Sequence, residues 1–189
     1  MKQTIIIIFV AIIILILFIA LFKKNKKFNI PFIKVWIDHV VYTRMFIVSS
    51  LNNLENLGVV TKRLLRNQDD ISYFFKKKYG SHVAELVSKL LKEHIMIAND
   101  LVNNIKNKKD YKIDMEKWKQ NAKKIAEALH SLNKSVSINS WYSMMNQHLD
   151  LTADELLYNY NKDWLNDLET FDKIKDQAVL MATHLCKII

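Results

Sequence analysis

Two glycines, one proline and one cysteine are all that this chain of 189 residues holds of the residues that punctuate or cross-link a fold. A β-rich domain needs turn residues between its strands, so this shortage argues against a sandwich or barrel. Gly58 and Gly80 cannot supply a glycine-rich phosphate loop or a Gly-x-Ser-x-Gly elbow. A lone Cys186 excludes an intrachain disulfide and a thiolate metal cluster, in keeping with a reducing compartment. Its apolar C-terminal surroundings read as those of an inert buried thiol. No Cys–His nucleophile arrangement and no repeat of about 20 to 50 residues is present. Acid is missing from the beginning of the chain, where the first carboxylate is Asp38.

What fills that acid-free beginning is an uncharged apolar run, Ile5 to Phe22, followed at once by Lys23, Lys24, Asn25, Lys26 and Lys27. As a helix the run spans about 27 Å, close to the roughly 30 Å hydrocarbon core of a bilayer. A secretory signal has a shorter apolar region and a small-x-small exit. Here the exit is Phe18-Ile19-Ala20-Leu21-Phe22, so an uncleaved transmembrane anchor is predicted. Positive charge stays on the cytoplasmic side, which places a short N-terminus outside and the domain in the cytoplasm, or facing the interior of a viral membrane. The implied partners are the lipid bilayer and, through Lys23, Lys24, Lys26 and Lys27, anionic lipid head groups. The sequon Asn133-Lys134-Ser135 goes unused in that orientation. The net charge of +9 includes Lys2 and those four lysines; without them 23 basic residues face 19 acidic ones. The basic balance is thus mostly an interface feature, and nucleic acid is not the expected partner.

The expected organisation is a tail over 1–4, the span over 5–22, a basic linker over 23–31 and an all-α domain over 32–189. Pro31 can open a helix, where its missing N–H costs nothing. That helix runs to about residue 53 and is apolar on several faces, as a central helix is. Gly58 marks a break. Short helices over 59–66 and 70–79 follow, the second capped by Asp69 or Asp70. Residues 82–107 carry the stripe Val83, Val87, Leu90, His94, Ile97, Leu101 and Ile105. Asp114 caps a helix to Leu132 with Trp118, Ala122, Ile125 and Leu129 inward. Asn139 caps a short helix over 140–149, and Thr152-Ala-Asp-Glu155 reads as a capping box. A last helix, bent near Asn161, turns Trp164, Leu168, Phe171, Ile174, Ala178, Met181 and Leu185 inward. The predicted architecture is a four-helix bundle with short connecting helices, preceded by one transmembrane helix.

Five strings in order, Trp36-Ile-Asp-His-Val-Val-Tyr-Thr-Arg44, Thr61-Lys-Arg-Leu-Leu-Arg-Asn67, Lys92-Glu-His-Ile-Met-Ile-Ala98, Trp118-Lys-Gln-Asn-Ala-Lys-Lys-Ile-Ala126 and Trp141-Tyr-Ser-Met-Met-Asn-Gln-His-Leu149, carry a resemblance. The chain from Trp36 to Cys186 resembles a family of small uncharacterised helical-bundle proteins of spore-forming low-GC bacteria. The wealth of Ile, Lys and Asn, all with AT-rich codons, also fits a relative of that group in a large DNA virus. The resemblance implies a helical fold and no particular chemistry.

Three histidines fall on apolar stripes of different helices: His39, His94 and His148. With Glu93 they form a candidate site for a divalent metal or small ligand. The competing reading is a closed network of buried polar groups that also takes in Asp38, Arg44 and Asn121. A ferritin-type site needs two Glu-x-x-His motifs, and only Glu127-Ala-Leu-His130 matches. The network is therefore preferred, with no cofactor. Arg44, the one arginine of the apolar first helix, is expected to have a carboxylate partner, with Glu93 or Asp38 the first choices, and the alternative is an anionic ligand. Lys76, Lys77, Lys78 and the lysines at 106, 108, 109 and 112 read as solvated ends, because aromatics do not interleave with them as single-strand binding requires. The expected function is a non-enzymatic interaction or scaffold role for a membrane-anchored bundle, as in a viral membrane or virion component. The alternatives are a metal- or ligand-binding bundle and, behind it, a tethered nucleic-acid-binding domain.

Overall fold

The computed structural model describes the backbone of residues 2–189 and the side chains of residues 7–19 and 31–189. Among these described residues the chain is all-α, with no strand. Six helices follow in order: α1 (Lys2–Leu51), α2 (Leu57–Tyr79), α3 (Ser81–Lys106), α4 (Lys112–Leu132), α5 (Ile138–Tyr160) and α6 (Trp164–Leu185). Each packs on the one before it, and α6 returns to α1, so the bundle closes on itself; α1 also touches α3 and α5. The first helix, expected at the centre, is instead one member of this ring: Phe32, Trp36, Val40, Phe46 and Ile47 are buried, while Met45 is 42% exposed.

The expected four long helices with short connecting ones are replaced by longer continuous elements. The break expected between residues 66 and 70 does not form. Asn67 and Gln68 are fully buried inside α2 and donate their amide N–H groups to the carbonyls of Val35 and Leu64. Asp69 and Asp70 are not caps; they pair with Lys92 and Arg63. The turn falls before Gly58, at residues 52–56, where Asn53 takes φ 53°. The capping box at Thr152 does not form either. Thr152 Oγ1 donates back to the His148 carbonyl at 2.8 Å within an unbroken α5, and Glu155 is spent elsewhere. The helix starts are instead capped by Ser137, which accepts from the Ser140 N–H, and Asp163, which accepts from the Asn166 N–H. Asp114 lies inside α4, buried, accepting from Asn104 Nδ2 at 2.5 Å. Pro31 stands within α1 rather than at its start.

Most large core side chains, among them Trp141, Phe32, Phe75, Ile47 and Leu101, form one continuous cluster, and Val40, Ile174 and Ala178 form a smaller one. Trp36, Trp118 and Trp141 belong to the larger cluster as expected, but Trp164 and Leu168 do not; they are 51% and 55% exposed. The bundle has two distinct ends. At one, Phe32 meets Phe74 edge-on at 4.9 Å between ring centroids, and the Tyr79 hydroxyl donates to the Ile188 carbonyl. There the α4–α5 connection and the C-terminal residues share a small cavity lined by Val136, Trp141, His184 and Ile188. At the other end Lys106 Nζ ties α3 to the α1–α2 connection through the Ser50 carbonyl at 2.5 Å and Asn53 Oδ1 at 2.6 Å.

No helix of the described residues is long and apolar enough to cross a membrane. The predicted span Ile5–Phe22 begins and ends on residues whose side chains lie outside the described ones, and those of Lys23, Lys24, Lys26 and Lys27 lie outside them too. The described part, Ile7 to Ile19, is helical and exposed at every position.

Candidate functional site: a buried polar seam between the helices

Arg44 lies on α1 where the core faces α5 and α6. Its Nη1 donates to Glu155 Oε1 at 2.6 Å and to Asp167 Oδ1 at 2.9 Å, and its Nη2 donates to Asp167 Oδ2 at 2.6 Å. Neither Glu93 nor Asp38, the partners expected for it, takes part. The two carboxylates are 2% exposed and the arginine side chain 19%. Phe171 places its ring 4.8 Å from the guanidinium carbon, and Asn159 Nδ2 donates to Asp167 Oδ2 at 3.3 Å. One cation thus serves two buried carboxylates. Asp167 takes it through two parallel bonds, the geometry a guanidinium fits best. Glu155 has a single bond. Burial raises its pKa to about 7, against the pull of Arg44, and the neighbouring Asp167 charge raises it further. At neutral pH the cluster can therefore hold or release one proton. The hydrogen bond from Arg44 to Asp167 raises the arginine pKa, so the guanidinium stays charged.

All three histidines are buried in the interior of the bundle. The rings of His39 and His148 lie 6.0 Å apart, and His94 lies against Trp118 at 5.1 Å. Each has an amide partner. Gln68 Nε2 meets His39 Nδ1 at 3.3 Å, His94 Nδ1 donates to Asn121 Oδ1 at 2.9 Å, and His148 Nδ1 donates to Gln177 Oε1 at 3.2 Å. Those amides are anchored in turn: Asn121 Nδ2 donates to the Leu90 carbonyl and Gln177 Nε2 to the Met144 carbonyl. Burial drives the imidazole pKa values down, to about 3 for His39 and His94 and about 4 for His148. Three neutral rings in the interior are the result. His94 Nε2 is buried without a hydrogen-bond partner.

The remaining predicted site residues lie elsewhere. Glu93 is half-buried and lines an open groove of about 880 Å³ between α2 and α3, beside Lys92, Met96 and Asp69. Asp38 is not a member of the buried network; it pairs with Lys34 one turn back at 2.8 Å. Among the described residues no group of three or more His, Cys, Asp or Glu side chains is arranged to hold a metal ion. The proposed ligand set His39, Glu93, His94 and His148 is thus not brought together: Glu93 lines the outer groove, and the three imidazoles by themselves do not form such a group.

Sequence reasoning missed Glu155, Asp167, Asn67, Gln68, Asn159 and Gln177, all buried. Helical spacing carried a signal for most of them. Asn67 and Gln68 stand between Leu64 and Ile71, and Gln177 between Ile174 and Ala178, each a polar side chain on an apolar stripe. Glu155 was hidden by its place in an apparent capping box.

Comparison of the chain with protein-family models, with curated proteins and with solved structures finds no match.

Proposed function

We propose that this chain is a membrane-tethered helical bundle that acts by binding, as an interaction or scaffold component, rather than by catalysing a reaction. The observation that carries the reading is the division of α1. Its later part packs into the closed core, whereas every residue from Ile7 to Ile19 is exposed, with Ile7, Phe9 and Phe18 at 68%, 67% and 65%. An apolar surface on all faces of a helix has no stable place in water, and lipid is the solvent that suits it. Completed by Ile5, Ile6 and the residues to Phe22, the run has the length of a bilayer span. The lysines that follow argue for the domain on the cytoplasmic side, or facing the interior of a virion membrane. The interior polar groups support a binding role because they are mostly spent on one another. A further apolar edge, Trp164, Leu165 and Leu168, is exposed at the opposite end of the bundle, as on surfaces that meet protein partners.

The test is membrane extraction and topology. The full chain expressed in cells should stay with membranes through alkaline washing, and a chain without residues 1–27 should not. With a reporter at each end, protease added outside intact cells should remove only the N-terminal one. Release of the full chain by alkali would overturn the tether, and removal of the C-terminal reporter would reverse the orientation. A second reading, a ligand-binding bundle, has one observation in its favour: the unpartnered Nε2 of His94 among three neutral imidazoles.

A further inference from the structure

The end of the bundle at which the chain enters gathers basic residues from three connecting or terminal segments. Three segments far apart in sequence meet there. The α2–α3 junction, residues 76–82, brings Lys76, Lys77, Lys78 and His82. The α4–α5 connection, residues 130–138, brings His130 and Lys134, and the C-terminal residues 183–189 bring His184 and Lys187. None of the three contains Asp or Glu. Their convergence is fixed by contacts already described: Tyr79 to Ile188, the cavity shared by Val136 and His184, and Phe32 against Phe74. All five lysines are exposed. Lys77 and Lys78 stand over the rings of Tyr73 and Tyr79 at 4.7 and 5.5 Å, so their ammonium groups stay beside this end. The nearest acids are Glu85 on α3, which lines the same groove as Lys76, and Glu127 on α4, each about one turn further along its helix. The opposite end differs. Its connections mix Lys106, Lys108, Lys109, Lys112 and Lys162 with Glu55, Asp110 and Asp163.

We propose that this end is a docking face for an anionic lipid surface, so that the bundle lies against the membrane that holds its N-terminal segment. Two observations select that occupant: the three segments carry charged side chains of one sign only, and Phe32, where the chain enters the core, lies at this same end. The geometry rests on the tethered reading above. The face is distinct from Lys23, Lys24, Lys26 and Lys27, because it is assembled by tertiary folding from loops that close only when the bundle forms. Near an anionic leaflet each lysine strengthens attraction about fivefold, and the effect fades beyond a Debye length. Five lysines are enough to choose between a bundle held flat on the surface and one that swings free. A bundle so held would present its opposite end, with Trp164 and Leu165, away from the membrane.

The experiment uses the full chain, with Cys186→Ser and Ser135→Cys so that a donor dye sits on the α4–α5 connection. It is incorporated into phosphatidylcholine vesicles, or into vesicles of phosphatidylcholine and phosphatidylserine in equal parts, each with a head-group acceptor. Energy transfer should be higher in the anionic vesicles, fall with added salt, and drop to the neutral-vesicle level when Lys76, Lys77, Lys78, Lys134 and Lys187 are changed to Gln. Changing Lys108, Lys109 and Lys112 to Gln, at the opposite end, should leave it unaltered. Equal transfer in both vesicle types overturns the docking face and leaves the tether standing. Failure to enter neutral vesicles overturns the tether, and lysine-dependent binding to anionic vesicles alone then still supports the face. Duplex DNA retained through these same lysines, with transfer indifferent to phosphatidylserine, would assign the face to nucleic acid and overturn the proposal.

Discussion

Acid should unfold this bundle through its interior, and the amount can be worked out. His39 and His94 stay neutral in the folded chain down to a pH of about 3, and His148 to about 4, while each takes a proton near the ordinary value of 6.5 once unfolded. Between those values the unfolded chain binds more protons. Stability from the three rings is therefore fully present above pH 6.5 and is lost as the pH falls toward the folded values. At about pH 5 each ring removes about 2 kcal/mol, so the three together remove roughly 6. Glu155 works the other way. Its pKa is raised from 4.5 to about 7, so the folded chain holds a proton that the unfolded chain has released. Its contribution grows as the pH falls through that window, by roughly 2–3 kcal/mol at about pH 5. The net loss is roughly 3–4 kcal/mol, a large part of the roughly 5–15 kcal/mol that holds an ordinary domain together. Urea unfolding of residues 28–189, followed by circular dichroism across this range, should show an uptake close to two protons per molecule. In Glu155→Gln the uptake should approach three, and His94→Gln should remove one. Stability independent of pH in Glu155→Gln would show that the histidines are not buried as neutral rings.

The Arg44 cluster predicts an order of damage rather than a single value. Arg44→Met strands two buried carboxylates and should cost about 3–5 kcal/mol, Asp167→Asn less, and Glu155→Gln least, because its carboxyl is already close to neutral; thermal melts that rank them otherwise refute the asymmetry. Added Zn²⁺ or Mn²⁺ should leave the melting temperature unchanged. A ligand bound only to the folded state at a hundredfold excess over its Kd would add about 2.7 kcal/mol, and such a gain abolished in both His39→Ala and His94→Ala would make the seam a metal site. Gly80 has φ 86° with no atom within 4 Å of an added Cβ, so Gly80→Ala should cost about 1–3 kcal/mol through the backbone alone; an unchanged melting temperature would refute that strain.

The helical class and most of the core were legible because apolar spacing reports them directly. The stripes of α3 and α4 put Val87, His94, Leu101, Trp118, Ala122 and Leu129 inward, and all are buried. Helix ends were less legible, since Asn, Asp and Thr cap a helix in one setting and bond within it in another. Thr152 took the second course, donating to the His148 carbonyl one turn back, whereas Asn67 reaches across to the Val35 carbonyl of α1. The partners of Arg44 were out of reach for a different reason. That it needed a carboxylate followed from its apolar surroundings, but the choice among 19 acids depends on which helices become neighbours, and local pattern does not encode that. Trp164 and Leu168 failed as core because the inward stripe of α6 shifts to Asp167 and Thr170 in its first turns.

The bond from Arg44 to Asp167 joins residues 123 positions apart. A ribosome delivers α1 first, yet the carboxylates that neutralise it arrive with the last two helices. Until then the nascent chain carries an unmatched guanidinium on its most apolar element. Early compaction of α1 with α2 and α3 alone would trap that charge, so it is disfavoured until α6 emerges. Closure of the ring by its first and last members then becomes the late, committing event of folding, and chains truncated before Asp167 should remain dynamic and open to proteases.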